Sequence, residues 1–299
     1  MKKIPAILGV CALITVGATG CFNASAPTDN STLNVMVTIL PLQEFVEKIG
    51  GDHVTVNTVI PPGAEPHTYE LSPQQLKQVA DADVYVKAGT VEFEKANMGR
   101  IASLNKSMVI VDGSEGIALR KIEAHAHDEH AAEESDADEV LDPHTWLSPL
   151  NAKIYAQNIA KAFTELDPAN AETYTANLEA YEYELDELDM ELTNSFAAVG
   201  QKKIIVYHPA FGYLLDAYGM EQVPVELEGK EPTAEQLTGL IDEAREEGIT
   251  VIFVQTQFST SNAETIAQEI GGTVVQIDPL AKDFIANLRS IAQAITSKN

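Results

Sequence analysis

The stretch LNVMVTILPLQEFVEKIGGDHVTVNTVI, residues 33–60, decides the fold. It opens on a β-rich run, LNVMVTIL, passes through a helical segment, PLQEFVEKIG, and returns to a strand-like run, HVTVNTVI. A strand, a helix and a second strand in close succession predict a mainly parallel sheet covered by helices. Outward from this unit the alternation continues through the loop PPGAEPHTYE, a helix at SPQQLKQVADA, and the strands VYVKAG and MVIVDG. The second half repeats the scheme with KIIVYH, FGYLLDAYG, EQVPVEL, TAEQLTGLIDEAREEG, TVIFVQ, SNAETIAQEIGG and TVVQID. Two α/β lobes of ordinary domain size are expected.

Between them lies DPANAETYTANLEAYEYELDELDMELTNSFAAVG, in which Leu178, Tyr181, Leu185, Leu188, Leu192 and Phe196 recur at steps of three and four. That spacing puts them on one helical face, and it is too short-lived for a coiled coil. Asp167 and Pro168 suit a helix start, and Gly200 suits a stop. The reading is one long rigid helix, 167–198, joining the lobes. The resulting plan is a 33–150 lobe, a 151–199 helical linker and a 200–299 lobe.

The chain has 299 residues, 45% of them hydrophobic, which is enough for sizeable cores. Its first twenty residues read as an export signal. Lys2 and Lys3 precede the apolar ILGVCALITVG, and the small residues Ala18, Thr19 and Gly20 lead to Cys21. That apolar run is short for a spanning helix. Small residues directly before a cysteine resemble the lipobox of prokaryotic lipoproteins, so Cys21 is expected to carry a lipid, with residues 21–32 as a flexible tether. Cys11 would leave with the signal, and Cys21 would then have no disulfide partner. A formal net charge of −26 argues against nucleic acid as a partner.

Four of the seven histidines fall in EAHAHDEHAAEESDADEVLDPHTWLSP, residues 123–149. His125, His127 and His130 sit in an acidic, Ala-rich segment with little means of packing, within a loop placed at 121–140. His144 belongs instead to DPHTW, just before the NAKIYAQNIAKAF helix. His67 lies in the loop after the second strand, His208 directly follows KIIVY, and Asp278 directly follows TVVQI. Ligands of open α/β sheets bind beyond the carboxyl ends of the strands, which is where these four residues fall, two from each lobe. Three imidazoles and a carboxylate suit a borderline divalent ion such as Zn²⁺. A catalytic zinc site would need an open position for water, and neither HExxH nor a nucleotide-binding glycine motif occurs.

PHTYELSP, DPHTWLSP, YHPAFGYLL and IDPL, in this order and at these separations, resemble the zinc- and manganese-binding members of the periplasmic or lipid-anchored substrate-binding proteins that serve ABC importers. The resemblance covers nearly the whole mature chain. It implies that His67, His144, His208 and Asp278 are metal ligands in a cleft between two lobes joined by a rigid helix. Manganese-type members commonly have Glu where this chain has His208, so the zinc type is implied, with Mn²⁺ as a competitor. The expected protein is extracytoplasmic, a monomer held at the membrane by lipid on Cys21 or free in the periplasm, passing Zn²⁺ to an ABC permease. His125, His127 and His130 are then weak additional metal sites. VQTQF places Gln255 and Gln257 where the family often has a carboxylate. The competing readings are a metal-binding adhesin or buffer and, less in keeping with the motifs, a zinc hydrolase. Glu70 is a candidate for orienting a ligand imidazole; Trp146 is expected to pack beneath the site, Tyr207 and Phe211 to be core, and His53 to be structural.

Overall fold

The computed structural model describes residues 32–122, 141–226 and 232–297. The export signal, Cys21, and His125, His127 and His130 lie outside the described residues.

Two four-stranded parallel sheets form the frame. The first is ordered β2-β1-β3-β4, from β1 (Leu33–Val37), β2 (Val54–Thr58), β3 (Val84–Lys87) and β4 (Val109–Asp112). The second is ordered β6-β5-β7-β8, from β5 (Lys203–Val206), β6 (Glu221–Pro224), β7 (Val251–Gln255) and β8 (Thr273–Ile277). Both sheets have the same winding, in which the first strand is flanked by the second on one side and the third on the other. Val35 stands opposite Val56 in one neighbour and Val84 in the other, so β-branched side chains are stacked through the centre of the first sheet. Every strand seen lies in a run that the sequence marks as β-rich.

The helices of the first lobe are α1 (Leu40–Gly50), α2 (Pro73–Ala80), α3 (Glu92–Leu104) and α4 (Pro149–Leu166). Ser72 accepts from the Gln75 amide and the Gln75 side chain returns a bond to the Ser72 N–H, a capping box that fixes the start of α2. The strand–helix alternation passes over α3, whose apolar residues are sparse and interrupted by Gly99, and over the last helix of the chain. The second lobe carries α6 (Gly212–Ala217), α7 (Ala234–Glu246), α8 (Ser261–Ile270) and α9 (Phe284–Thr296).

The long helix α5 spans Ala171–Ala197, about 40 Å at 1.5 Å per residue. It is preceded by a single 3₁₀ turn, Pro168–Asn170, so Asp167 does not cap it directly. The Asp167 carboxylate instead accepts from Asn170 Nδ2 and the Tyr174 hydroxyl, each at 2.7 Å. Tyr174, Tyr181, Leu185, Leu188, Leu192 and Phe196 are buried along one face, and Leu178 is half-buried.

α5 packs against α1 and α4 of the first lobe and also against α9. α9 therefore returns from the second sheet to the first lobe. Phe284 meets Phe45 of α1 edge to face at 5.0 Å, and the Phe284 N–H donates to Glu44. One apolar core runs continuously from the first sheet through α1, α4, α5 and α9 to one face of the second sheet, while a smaller core covers that sheet's other face. Phe45 is the hub, since its ring also touches Tyr155 of α4 at 5.7 Å and Tyr181 of α5 at 6.2 Å. Phe45→Ala is expected to cost about 3–5 kcal/mol of stability, read as a fall in the urea unfolding midpoint. A change below about 1 kcal/mol would mean that the lobes are not joined through this contact.

Candidate metal centre

His67 is placed by a tight turn after β2. The Glu65 carboxylate accepts from the backbone N–H groups of His67 and Thr68 at 2.9 and 3.0 Å and from the Thr68 hydroxyl. Gln75 of α2 anchors the same loop, because its amide donates to the Val59 carbonyl and to the Tyr69 hydroxyl. The ring itself keeps 35% of its side-chain exposure, so it forms the wet side of the site.

His144 is buried and precedes α4. Asp142 Oδ1 accepts from both the His144 backbone N–H and ring Nδ1, each at 2.9 Å. Asp142 Oδ2 pairs with Arg120 Nη1 at 2.8 Å, and Arg120 Nε reaches Asp216 of α6 at 2.7 Å. Burial alone would raise the Asp142 carboxyl, but the bonds from His144 and Arg120 outweigh it and hold the group below the usual carboxylate range. Gly212, at the start of α6, is required by this arrangement: a Cβ there would stand 1.7 Å from Arg120 Nη1 and 2.6 Å from Asp142 Oδ2. Trp146 packs beside His144, ring centres 5.4 Å apart, and its indole N–H donates to the Pro279 carbonyl of the second lobe at 2.9 Å.

His208 follows β5 and is also buried. The fully buried Gln255, at the end of the neighbouring β7, takes both backbone groups of this residue: the His208 N–H donates to its Oε1 at 3.1 Å, and its Nε2 donates to the His208 carbonyl. Ring Nδ1 bonds the buried Glu226 carboxylate, just past β6, and Phe258 stacks on the ring face at 5.4 Å.

These loops bring the three imidazoles together. Each of His67, His144 and His208 offers a ring nitrogen, and all three nitrogens lie within 4.8 Å of one another. His144 Nε2 and His208 Nε2 face each other at 3.0 Å. An ionised carboxylate only accepts, so the two Nδ1 atoms it contacts carry protons, and in that neutral tautomer each Nε2 presents a lone pair. Two lone pairs at that distance repel unless a cation or a shared proton lies between them. Burial pushes His67 and His208 below the ordinary imidazole range, which keeps these two rings neutral and able to donate their lone pairs.

Asp278 does not belong to this group of nitrogens. Its half-buried carboxylate accepts from Gln257 Nε2 at 2.8 Å and from the Leu280 N–H at 2.9 Å. Gln257 and Leu280 line the same pocket as the histidines, beside Val91, Trp146 and Phe258.

The family model described as zinc-uptake complex component A, periplasmic, abbreviated ZnuA, matches residues 35–298. The chain belongs to the ZnuA family. A high-affinity zinc uptake system protein ZnuA of Bacillus subtilis (strain 168) is 32% identical over 286 residues, covering 92% of this chain and 87% of that protein. The zinc-binding lipoprotein AdcA of Streptococcus pneumoniae R6 is 30% identical over 94% of this chain, which spans 56% of AdcA. A crystal structure of a zinc-bound ZnuA deletion mutant superposes with a TM-score of 0.82 at 40% identity, covering 90% of this chain and 98% of that one.

For this ZnuA-family chain, the carboxylates that hold the imidazoles are Asp142 and Glu226, whereas Glu70 is exposed. Asp142 has no role in the reading of the sequence, which names Glu70 instead, although its place two residues before His144 is a signal for it. Glu226 and Gln255 carry no such signal, since they lie 18 and 47 residues beyond His208 and only strand pairing brings them to it. Tyr207 and Phe211 are buried as expected, and His53 packs edge-on against Tyr174 at 5.9 Å.

The lowered imidazoles set a pH dependence. Unfolding returns His67 and His208 to about 6.5, so acidification below that value protonates the unfolded chain first and the metal-free protein loses stability as pH falls. Zinc affinity is expected to stay nearly constant from pH 7.5 to about 6.5 and to fall steeply below. Chelator competition across that range measures it. A tenfold loss already at pH 6.5 would mean that these rings protonate in their ordinary range.

Proposed function

We propose that this protein captures Zn²⁺ outside the cytoplasm on His67, His144 and His208 and delivers it to the permease of an ABC importer. The observation that carries the reading is the convergence of three imidazole nitrogens, two of them buried and facing each other, within one chain of the ZnuA family. Imidazole nitrogen suits Zn²⁺ better than Mn²⁺, which prefers carboxylate and water. Asp278 is the fourth ligand in this reading, and it reaches the ion by exchanging its bond to Gln257 for the metal.

Binding rather than catalysis fits the carboxylates. Asp142 and Glu226 are engaged on imidazole Nδ1 atoms, where they orient ligands and do not take a proton from a metal-bound water. Lipid on Cys21 would hold the protein at the membrane; the pneumococcal relative is named a lipoprotein. Among the described residues no helix is long and apolar enough to cross a membrane. His125, His127 and His130 act as weaker metal contacts, either to raise the local zinc concentration or to sense when zinc is plentiful. Because α5 and α9 join both lobes in one core, loading is accompanied by modest lobe movement.

Calorimetry on the mature protein tests the assignment. The parent is expected to bind zinc tightly at one site, and single alanine replacements of His67, His144 or His208 are each expected to weaken that site at least a hundredfold. Unchanged tight binding in any of the three would remove that residue from the site. His208→Glu is expected to narrow the preference for zinc over manganese, measured as the ratio of the two affinities by competition.

A further inference from the structure

We infer that Glu226 is a positioning residue for metal capture: it locks the His208 ring in the one tautomer and orientation that turns its Nε2 lone pair towards His144 and His67. This inference rests on the three-histidine reading above.

The local structure constrains Glu226 as tightly as the ligand itself. The Val225 and Glu226 N–H groups both donate to the Tyr207 carbonyl, at 3.2 and 3.0 Å, so the chain leaving β6 is pinned to the residue before His208. Gln255 holds the His208 backbone from the opposite side, through β7. With the backbone fixed on both flanks, the remaining freedom is rotation of the ring and choice of protonated nitrogen. The Glu226 contact at Nδ1 removes both, and the stacked Phe258 fixes the ring plane.

Glu226 also differs from the matching carboxylate at His144. Asp142 is neutralised by Arg120 at 2.8 Å, whereas Glu226 is 5% exposed and its carboxylate bonds the neutral His208 ring. Its carboxylate charge faces the His208 ring, and among the described residues no cation stands beside it in the manner of Arg120. Behind a neutral nitrogen ligand set, that charge is placed to offset the charge of a captured dication and to raise the basicity of His208 Nε2. A buried carboxylate is expensive to keep without a counterion, and a dication held on His208 Nε2 would supply one across the ring.

The isosteric Glu226→Gln separates this role from packing. A glutamine amide fits the same space but can rotate and donate to Nδ1, which would move the ring proton to Nε2 and block the ligand lone pair. On the mature, metal-free protein, long-range ¹⁵N–¹H spectra are expected to show His208 protonated at Nδ1 alone in the parent and a mixture of tautomers in the variant. Zinc affinity by chelator competition is expected to fall roughly 10–100-fold in Glu226→Gln, and Glu226→Asp is expected to restore part of it by returning an acceptor-only group. The unfolding midpoint of the metal-free variant is expected to stay near that of the parent. A parent His208 protonated at Nε2, or a Glu226→Gln affinity within threefold of the parent, would overturn the proposal. His208→Ala run alongside distinguishes the failures: if it weakens zinc binding while Glu226→Gln does not, only the role of Glu226 falls; if it leaves binding unchanged, the three-histidine site falls as well.

Discussion

The buried contact between His144 and His208, whose Nε2 atoms face each other at 3.0 Å across the two lobes, is the constraint around which this molecule is arranged. Two imidazole lone pairs do not choose that geometry for themselves. Each is held there at Nδ1 by a carboxylate from its own lobe, and each of those carboxylates is fixed in turn, Asp142 by Arg120 and Glu226 by the backbone at Tyr207. The cost of aligning the lone pairs is met by folding, so a cation bound there as proposed would require little reorganisation of the two rings.

Such alignment lasts only if the lobes hold their distance. The usual two-lobe design, in which separate sheets are linked by flexible strands, would let the imidazoles part. Here α5 and α9 are shared, and the Phe45 ring meets side chains of α4, α5 and α9 in a single cluster. Polar ties reinforce the join near the site: the Trp146 indole reaches the Pro279 carbonyl, and Arg120 bridges Asp142 to Asp216. The apolar core carries most of the stabilisation, since exposed ion pairs contribute little. The Arg120 bridge is different because Asp142 is fully buried and would be left as an unpaired charge without it.

The site has a wet side and a dry side. His67 stands at the mouth on a turn held by Glu65, while His144 and His208 lie inside against Trp146 and Phe258. A divalent ion would meet the accessible imidazole first and exchange its remaining water for the buried pair. Pro279 and Leu280, which follow Asp278, complete the apolar wall, so the two inner rings are shielded from solvent while the outer one stays open to it.

Much of this was written in the sequence. The β-rich runs and the three-and-four spacing from Leu178 to Phe196 specify parallel sheets and a long helix because those patterns record which side chains must leave water, whatever the chain does elsewhere. The positions of His67, His144 and His208 were legible for a related reason: each follows a strand or opens a helix, where backbone direction alone delivers a side chain to the crevice. What only the tertiary structure decided depends on contacts between residues far apart in the chain. The return of α9 to Phe45, the clamp of Gln255 on His208 and the hydrogen bond of Glu226 to the ring join positions 18 to 239 residues apart, and no local pattern encodes such a pairing. Asp278 shows the same limit from the other direction. Its place after β8 is set by sequence, but the direction of its carboxylate, towards Gln257 and Leu280, is decided by hydrogen bonds that exist only once the second sheet has folded.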